Sequence, residues 1–137
     1  MHYFVNEDEL ISFMYGEVSS TLYSLYVLDI KNLNNGFERD IEFIEVPGRD
    51  GDLIVDNFRK KSKEITIEAF IDLSKSFIES FEDLCVEIED WLQGEVKVDT
   101  LAFSNFNKVY NAICTKVEIE EVMEGLGEAY ITFLVQP

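Results

Sequence analysis

The feature that most restricts the fold of this chain is a single stretch with the periodicity of an amphipathic helix. Between residues 76 and 93, apolar residues recur at spacings of three and four, with acidic residues between them. The apolar stripe consists of Phe77, Phe81, Leu84, Cys85, Ile88, Trp91 and Leu92. Ser74 or Ser76 is the expected N-cap, and Gly94 is expected to end the helix as a C′ residue in the left-handed conformation. We predict one long helix, roughly from Ser76 to Gln93, whose apolar face must lie on a sheet.

The rest of the chain has the period-two pattern and the turn residues of antiparallel strands. The clearest strand covers residues 64–72, where four apolar side chains share one face. Residues 22–30 are apolar on both faces, which favours a central strand. Three further segments predict a meander: 96–103, 108–119 and 129–135. We predict an α+β fold, mainly an antiparallel β-sandwich or split barrel of about seven or eight strands, with one long amphipathic helix packed on the sheet.

Two turns lie only two residues apart between predicted strands. Pro47 fixes φ at the corner of one turn and Gly48 supplies the positive φ of a type II turn. Asp50 and Gly51 form a second turn of the kind found in hairpins. In the simplest interpretation this is an exposed double turn in which Arg49 and Asp50 pair with each other or with solvent. Two turns this close cannot both end a minimal hairpin, so we expect residues to extend beyond the sheet.

The only cluster of positive charge follows this turn. Arg59, Lys60, Lys61 and Lys63 are four of the eleven basic residues. Such a cluster is usually a solvated turn, but complementary charge also steers association and fixes its register. We predict that the segment from Pro47 to Lys63 projects from the body and reaches an adjacent subunit, with its turn residues and basic residues forming the interface.

The charge of the chain argues against one class of partner. It carries 28 acidic and 11 basic residues, a formal net charge of −17. A surface with that charge repels phosphate backbones, so we predict no stable nucleic-acid binding. The 137 residues are expected to form a single domain, 1–137, with no membrane-spanning run and no signal peptide.

Few residues could support catalysis or hold a cofactor. The single histidine, His2, lies at the chain terminus, and no nucleotide-binding or zinc-binding motif is present. The three aspartates of residues 50–56 lack the ligand spacing of a calcium loop. Cys85 and Cys114 lie in apolar patterns and are expected to be buried and reduced. We predict no enzymatic activity, no metal and no cofactor, which leaves binding or assembly.

Six short motifs follow one another along nearly the whole chain. They are Phe13-x-Tyr15-Gly16, Val46 to Leu53, Ile65 to Glu68, Trp91-Leu92-x-Gly94, Val109 to Ala112 and Phe133 to Pro137. In this order they resemble the N-terminal domain of siphophage distal tail proteins. Ser24 departs from the pattern, because such proteins often carry glycine there. Longer members continue into a second β domain beyond the position of Pro137, and that C-terminal domain is absent from this sequence.

The resemblance implies a homo-hexameric ring at the far end of the tail tube of a long-tailed phage or prophage, with DNA passing through its channel. Its implied partners are the tail tube protein and a tail-tip or fibre-bearing protein of the baseplate. The implied location is the virion tail, after synthesis in the cytoplasm of the bacterial host. One alternative is an acidic α+β module that binds a peptide or ligand as a monomer or dimer. Another is a hydrolase that uses acidic residues.

Overall fold

The computed structural model describes residues 10–76 and 78–137, so His2 and Phe77 lie outside the described residues. The described chain forms nine β-strands, one α-helix and two short 3-10 helices. The strands are β1 (Phe13–Tyr15), β2 (Val18–Ser19), β3 (Leu25–Lys31), β4 (Arg39–Glu45), β5 (Asp52–Lys60), β6 (Lys63–Asp72), β7 (Asp99–Phe103), β8 (Val109–Met123) and β9 (Leu126–Val135). The helix α1 spans Phe81–Gln93, and the 3-10 helices span Ser20–Tyr23 and Leu73–Lys75.

Seven of the strands form one antiparallel sheet that curls on itself. Its order is β2-β1-β7-β8-β9-β6-β3, and β7, β8 and β9 form the predicted meander. Within β3, the backbone N–H of Val27 donates a hydrogen bond of 2.7 Å to the carbonyl of Ile11, which lies just before β1. The strand β3 at one end of the sheet therefore meets the segment that leads into β1 near the other end, and the sheet is the predicted split barrel with a helix packed on it.

The core fills the inside of this barrel and the space under α1. The alternation predicted for β6 is confirmed, because Ile65, Ile67, Ala69 and Ile71 are all buried on its inner face. The helix contributes three buried side chains to the same core, Leu84, Ile88 and Leu92. Complete burial of each large aliphatic side chain stabilises the fold by about 1.5–3 kcal/mol.

The strand β3 lies at the end of the sheet order, so its predicted central position is wrong. Its outward-facing Tyr26 is covered locally instead. The ring of Tyr26 stacks on Phe70, with centroids 5.3 Å apart, and the Nζ of Lys75 lies 5.2 Å above it. Aromatic stacking along one face, rather than a second layer of structure, explains why this strand is apolar on both faces.

The helix begins five residues later than predicted, at Phe81 rather than Ser76. Ser80 is its N-cap, and its Oγ accepts a bond of 3.5 Å from the backbone N–H of Asp83. Several serines before the helix can serve as caps, and periodicity alone does not choose among them. Gly94 ends the helix with φ of −64°, so the predicted left-handed cap is also wrong.

The strands β4 and β5 form a separate two-stranded sheet. We call this hairpin, Arg39–Lys60, the arm. The sequence predicted a projecting segment from Pro47 to Lys63, whereas the hairpin begins at Arg39 and its returning strand is nine residues long. Residues 52–57 do not alternate, which hides the strand β5 in the sequence. The structure has nine strands rather than about seven or eight because the two-residue strand β2 was not predicted.

Candidate functional site

The double turn lies at the tip of the arm. The carbonyl of Val46 accepts a hydrogen bond of 3.2 Å from the backbone N–H of Arg49, and Gly48 has φ of +81°. These are the features of the predicted type II turn. Gly51 also has positive φ, +79°, and the chain then enters β5. All five predicted turn residues, from Pro47 to Gly51, are exposed.

Both faces of the arm carry exposed apolar side chains. Phe43 is paired with Ile54 across the two strands, and the next pair towards the tip, Ile44 and Leu53, lies on the opposite face. Phe43 and Ile54 are 65% and 63% exposed. An isolated two-stranded hairpin is only marginally stable in water. The arm is therefore expected to gain stability when other protein surface packs on both of its faces.

The apolar pairs of the arm did not enter the predicted interface, although the sequence contains a signal for them. Phe43 and Ile44 are consecutive and lie between Glu42 and Glu45, while Leu53 and Ile54 are consecutive and follow Asp52. In a two-stranded ribbon, two consecutive apolar residues place one on each face. The predicted interface was based on the double turn and the basic cluster, and this apolar pattern was not used.

The basic cluster lies at the base of the arm and not on its projecting part. The Nε of Arg59 donates to Asp40 over 2.5 Å, and this bond, with another from Asn57, lowers the pKa of the Asp40 carboxyl. The Nζ of Lys63 donates to the carbonyl of Leu33 over 2.9 Å, and burial lowers the pKa of its ammonium group. Two of the four predicted interface cations therefore bind within their own chain.

The other two predicted cations are differently placed. Lys60 is the last residue of β5, and Lys61 lies in the link between β5 and β6. Both side chains are exposed. The structure thus brings Lys60 and Lys61 close to each other but separates them from the turn at Pro47 by the length of the arm.

A second surface is formed by the outward face of β3, β6, β9 and β8. On β6 and β9 these residues alternate with buried ones, and the residues paired with them on β3 and β8 share the same outward face. We call this surface the acidic face; its carboxylates are Asp29, Glu64, Glu68, Glu118, Glu120 and Glu128. Three lysines lie among them. Lys31 is bound to Glu68 over 2.9 Å, Lys116 is bound to Glu118 over 2.7 Å, and the Nζ of Lys75 lies above the ring of Tyr26. The face remains net negative.

The described residues contain no evident centre for chemistry. Among residues 10–76 and 78–137, no three His, Cys, Asp or Glu side chains are grouped so that they could hold a metal ion. No helix in the same ranges is long and apolar enough to cross a membrane. Cys114 is buried, which raises the pKa of its thiol to about 11, whereas Cys85 is only half-buried rather than buried as expected.

Comparison with known proteins identifies a similar fold. No protein-family model matches the chain, and no curated protein matches its sequence. The structure is similar to the crystal structure of SPP1 Dit (gp 19.1), described as a paradigm of the hub adsorption apparatus in phages that infect Gram-positive bacteria. The TM-score is 0.68 at 14% sequence identity, over 93% of this chain and 50% of that one. The chain thus spans half the length of SPP1 Dit and shares the fold of that half.

Proposed function

We propose that this chain is a structural component of a phage tail, and that it forms the ring-shaped hub that joins the tail tube to the tail tip. The fold supports this proposal, because 93% of the chain superposes on a hub protein. The observation that carries it is the arm, which presents apolar side chains on both faces without using them in its own core. Such a surface fits an assembly protein better than a catalyst.

The arm would contact the neighbouring copy in the ring. A ring requires a heterologous contact, in which the arm meets a different surface of the neighbour and the succession of contacts closes on itself. A hexamer is the ring size implied by the sequence resemblance. Burial of Phe43 and Ile54 against a neighbour would supply apolar area at the centre of the contact, where binding energy is concentrated.

The acidic face would line the central channel. Six carboxylates against three lysines on one sheet face give a local negative potential. A channel with this lining would repel the phosphates of DNA in transit, so the DNA would not adhere to it. The tail tube protein on one side of the ring and a tip or fibre-bearing protein on the other complete the proposed assembly.

The proposal is tested by replacing the apolar pair on one face of the arm. The double variant Phe43→Thr with Ile54→Thr keeps two residues that favour strands but removes most of the apolar surface. We expect the wild type to sediment as a closed oligomer and this variant to sediment mainly as monomer. Its melting temperature as a monomer should change little, because both side chains are largely exposed.

The matched control is Val109→Thr with Val122→Thr, which also changes two exposed strand residues but lies off the arm. Their exposures are 59% and 53%, close to those of the arm pair. This control should assemble like the wild type. A wild type that stays monomeric at high concentration and low salt would contradict the ring itself.

A further inference from the structure

Phe58, near the base of the arm, has an unfavourable backbone conformation and an exposed aromatic ring. Its side chain is 91% exposed, and its φ is +57°. A left-handed conformation costs a residue with a Cβ roughly 1–2 kcal/mol, and an exposed phenyl ring gains nothing from the hydrophobic effect. Strain of this kind persists where the surrounding structure imposes it, and it is concentrated at functional positions.

A bulge in the arm imposes this conformation. The strand register moves from Ile41 opposite Asp56 to Arg39 opposite Lys60, so three residues of β5 face one residue of β4. The Oδ1 of Asp56 accepts a bond of 2.8 Å from the backbone N–H of Phe58. The chain therefore directs Phe58 into solvent through specific hydrogen bonds.

The residues beside Phe58 are fixed as well. Asp40, opposite the bulge, accepts a bond of 3.1 Å from the Nδ2 of Asn57 and one of 2.5 Å from the Nε of Arg59. A carboxylate in the opposite strand thus binds the residue before Phe58 and the residue after it. This clamp leaves the ring little freedom to fold back onto its own chain.

Positive charge surrounds the exposed ring. Arg39 and Arg59 are 66% and 72% exposed, and Lys60 and Lys61 follow directly in the sequence. Asp40 and Asp56 offset only part of this charge, so the base of the arm is net positive. The remainder of the chain is strongly negative, since the whole molecule carries −17. A second copy of the chain is therefore an electrostatically complementary partner.

We propose that Phe58 is the anchor of the contact between copies, and that its ring enters the cavity at the C-terminal end of α1 in the next copy. This inference rests on the proposed ring. The cavity has a volume of about 350 Å³, enough for a phenyl ring and part of a flanking side chain. It is lined by Tyr15, Asp90, Trp91, Leu92, Gly94, Glu95 and Lys97.

The chemistry of the cavity matches the base of the arm. Trp91 offers an aromatic wall that is already fixed, because it stacks on Phe13 and Tyr23 and its Nε1 donates to the carbonyl of Tyr15 over 3.1 Å. Asp90 and Glu95 provide carboxylates at the rim, and the Nζ of Lys97, which also lines the cavity, lies 3.5 Å from Glu95 and from Asp99. The C-terminal end of a helix is also the negative end of its dipole, which favours nearby cations.

Another depression combines two carboxylates with an aromatic ring. It is formed by Glu118, Ile119, Glu120 and Tyr130. It lies on the acidic face, which would have to stay open if that face lines the channel. The cavity beside α1 and the ring of Phe58 are different surfaces of one molecule, so their contact is heterologous, as a ring requires.

Photo-crosslinking from position 58 tests the receiving site. Phe58→p-benzoylphenylalanine keeps the aromatic ring, and a mixture of 14N-labelled and 15N-labelled protein identifies crosslinks between copies. We expect the crosslinked peptide to be the one that ends at Lys97 and contains Trp91. Crosslinks to another region, only within one copy, or none from a protein that forms rings would overturn the inference.

Phe58→Gly tests the anchor by a pair of opposite effects. Glycine adopts positive φ freely, so the variant should melt at a higher temperature as a monomer. The lost ring should nevertheless weaken association at least tenfold, while Phe58→Tyr should retain it. If wild-type rings form and Phe58→Gly assembles equally well, the anchor is wrong and the proposed function stands. A wild type without any self-association would contradict both.

Discussion

At the scale of single residues, Ser24 shows a conformational cost in the interior of the fold. It is fully buried and has φ of +57° and ψ of 31°. Its Oγ has no hydrogen-bond partner among the described residues. Ser24→Gly removes the strained Cβ and the buried hydroxyl together. We expect the free energy of unfolding to rise by about 1 kcal/mol in denaturant titration, after allowance for the greater backbone entropy of glycine in the unfolded chain.

Ser20 is a suitable control, because it is equally buried but its hydroxyl group takes part in a hydrogen bond. The Oγ of Ser20 accepts a bond of 3.1 Å from the backbone N–H of Phe13. Ser20→Ala leaves that donor without a partner and should lower the free energy of unfolding by about 1–3 kcal/mol. A loss of stability in Ser24→Gly would mean that the Ser24 hydroxyl has a partner in solution.

Local chemistry decides which residues could be predicted from the sequence. The positive φ of Gly48 follows from the Pro-Gly pair itself, so the turn at the tip of the arm was predictable. The positive φ of Phe58 depends on a bulge, which is set by Asp40 in the opposite strand. No pattern within the sequence around Phe58 indicates that pairing.

At the scale of elements, α1 and β6 were predictable because each buries one continuous face. The apolar residues of α1 recur with a period of 3.6 and those of β6 with a period of 2, and both periods can be read from the sequence without knowing what the element packs against. The arm was predicted only in part. Residues 39–46 have a period close to two, which indicates the strand β4, but Leu53, Ile54 and Val55 are consecutive apolar residues, so β5 has no alternation to detect.

The helix supports a direct test of which face holds the core. Leu84 is fully buried, while Val86, two residues along, is 56% exposed. Leu84→Asp places a charge among apolar side chains without a partner and should cost several kcal/mol of a total stability of about 5–15. We expect this variant to lose its native circular dichroism, and Val86→Asp to keep it with a melting temperature close to the wild type. Native spectra for Leu84→Asp would contradict the assignment of the core face.

At the scale of the whole molecule, the distribution of charge over the surface affects self-association more than the net charge does. The sequence indicates −17 and one basic cluster, but not that six carboxylates share one sheet face or that the cations lie at the base of an arm. Those positions depend on strand order and register, which bring Glu68, Glu118 and Glu128 onto one surface from three strands. Strand pairing over long sequence distances is the part of the fold that a single sequence least reveals.

This distribution predicts that self-association weakens with salt. Lys60 and Lys61 are exposed and lie beside the proposed anchor, so they should attract an acidic surface on the next copy. Lys60→Glu with Lys61→Glu should shift the sedimentation equilibrium towards monomer, with the largest effect at low salt. The attraction between wild-type copies should itself fall between about 0.05 M and about 0.5 M salt, as screening shortens the range of exposed charges. Arg59 and Lys63 are left unchanged because they bind within their own chain.

The control must change the net charge equally at another place. Lys31→Glu with Lys116→Glu does so on the acidic face, where both lysines are about two-thirds exposed, at 62% and 63%. Exposed ion pairs contribute little to stability, so both double variants should remain folded. If net charge alone governs association, the two variants will dissociate alike. If the base of the arm is the contact, only the change at Lys60 and Lys61 will do so at concentrations where the wild type forms rings.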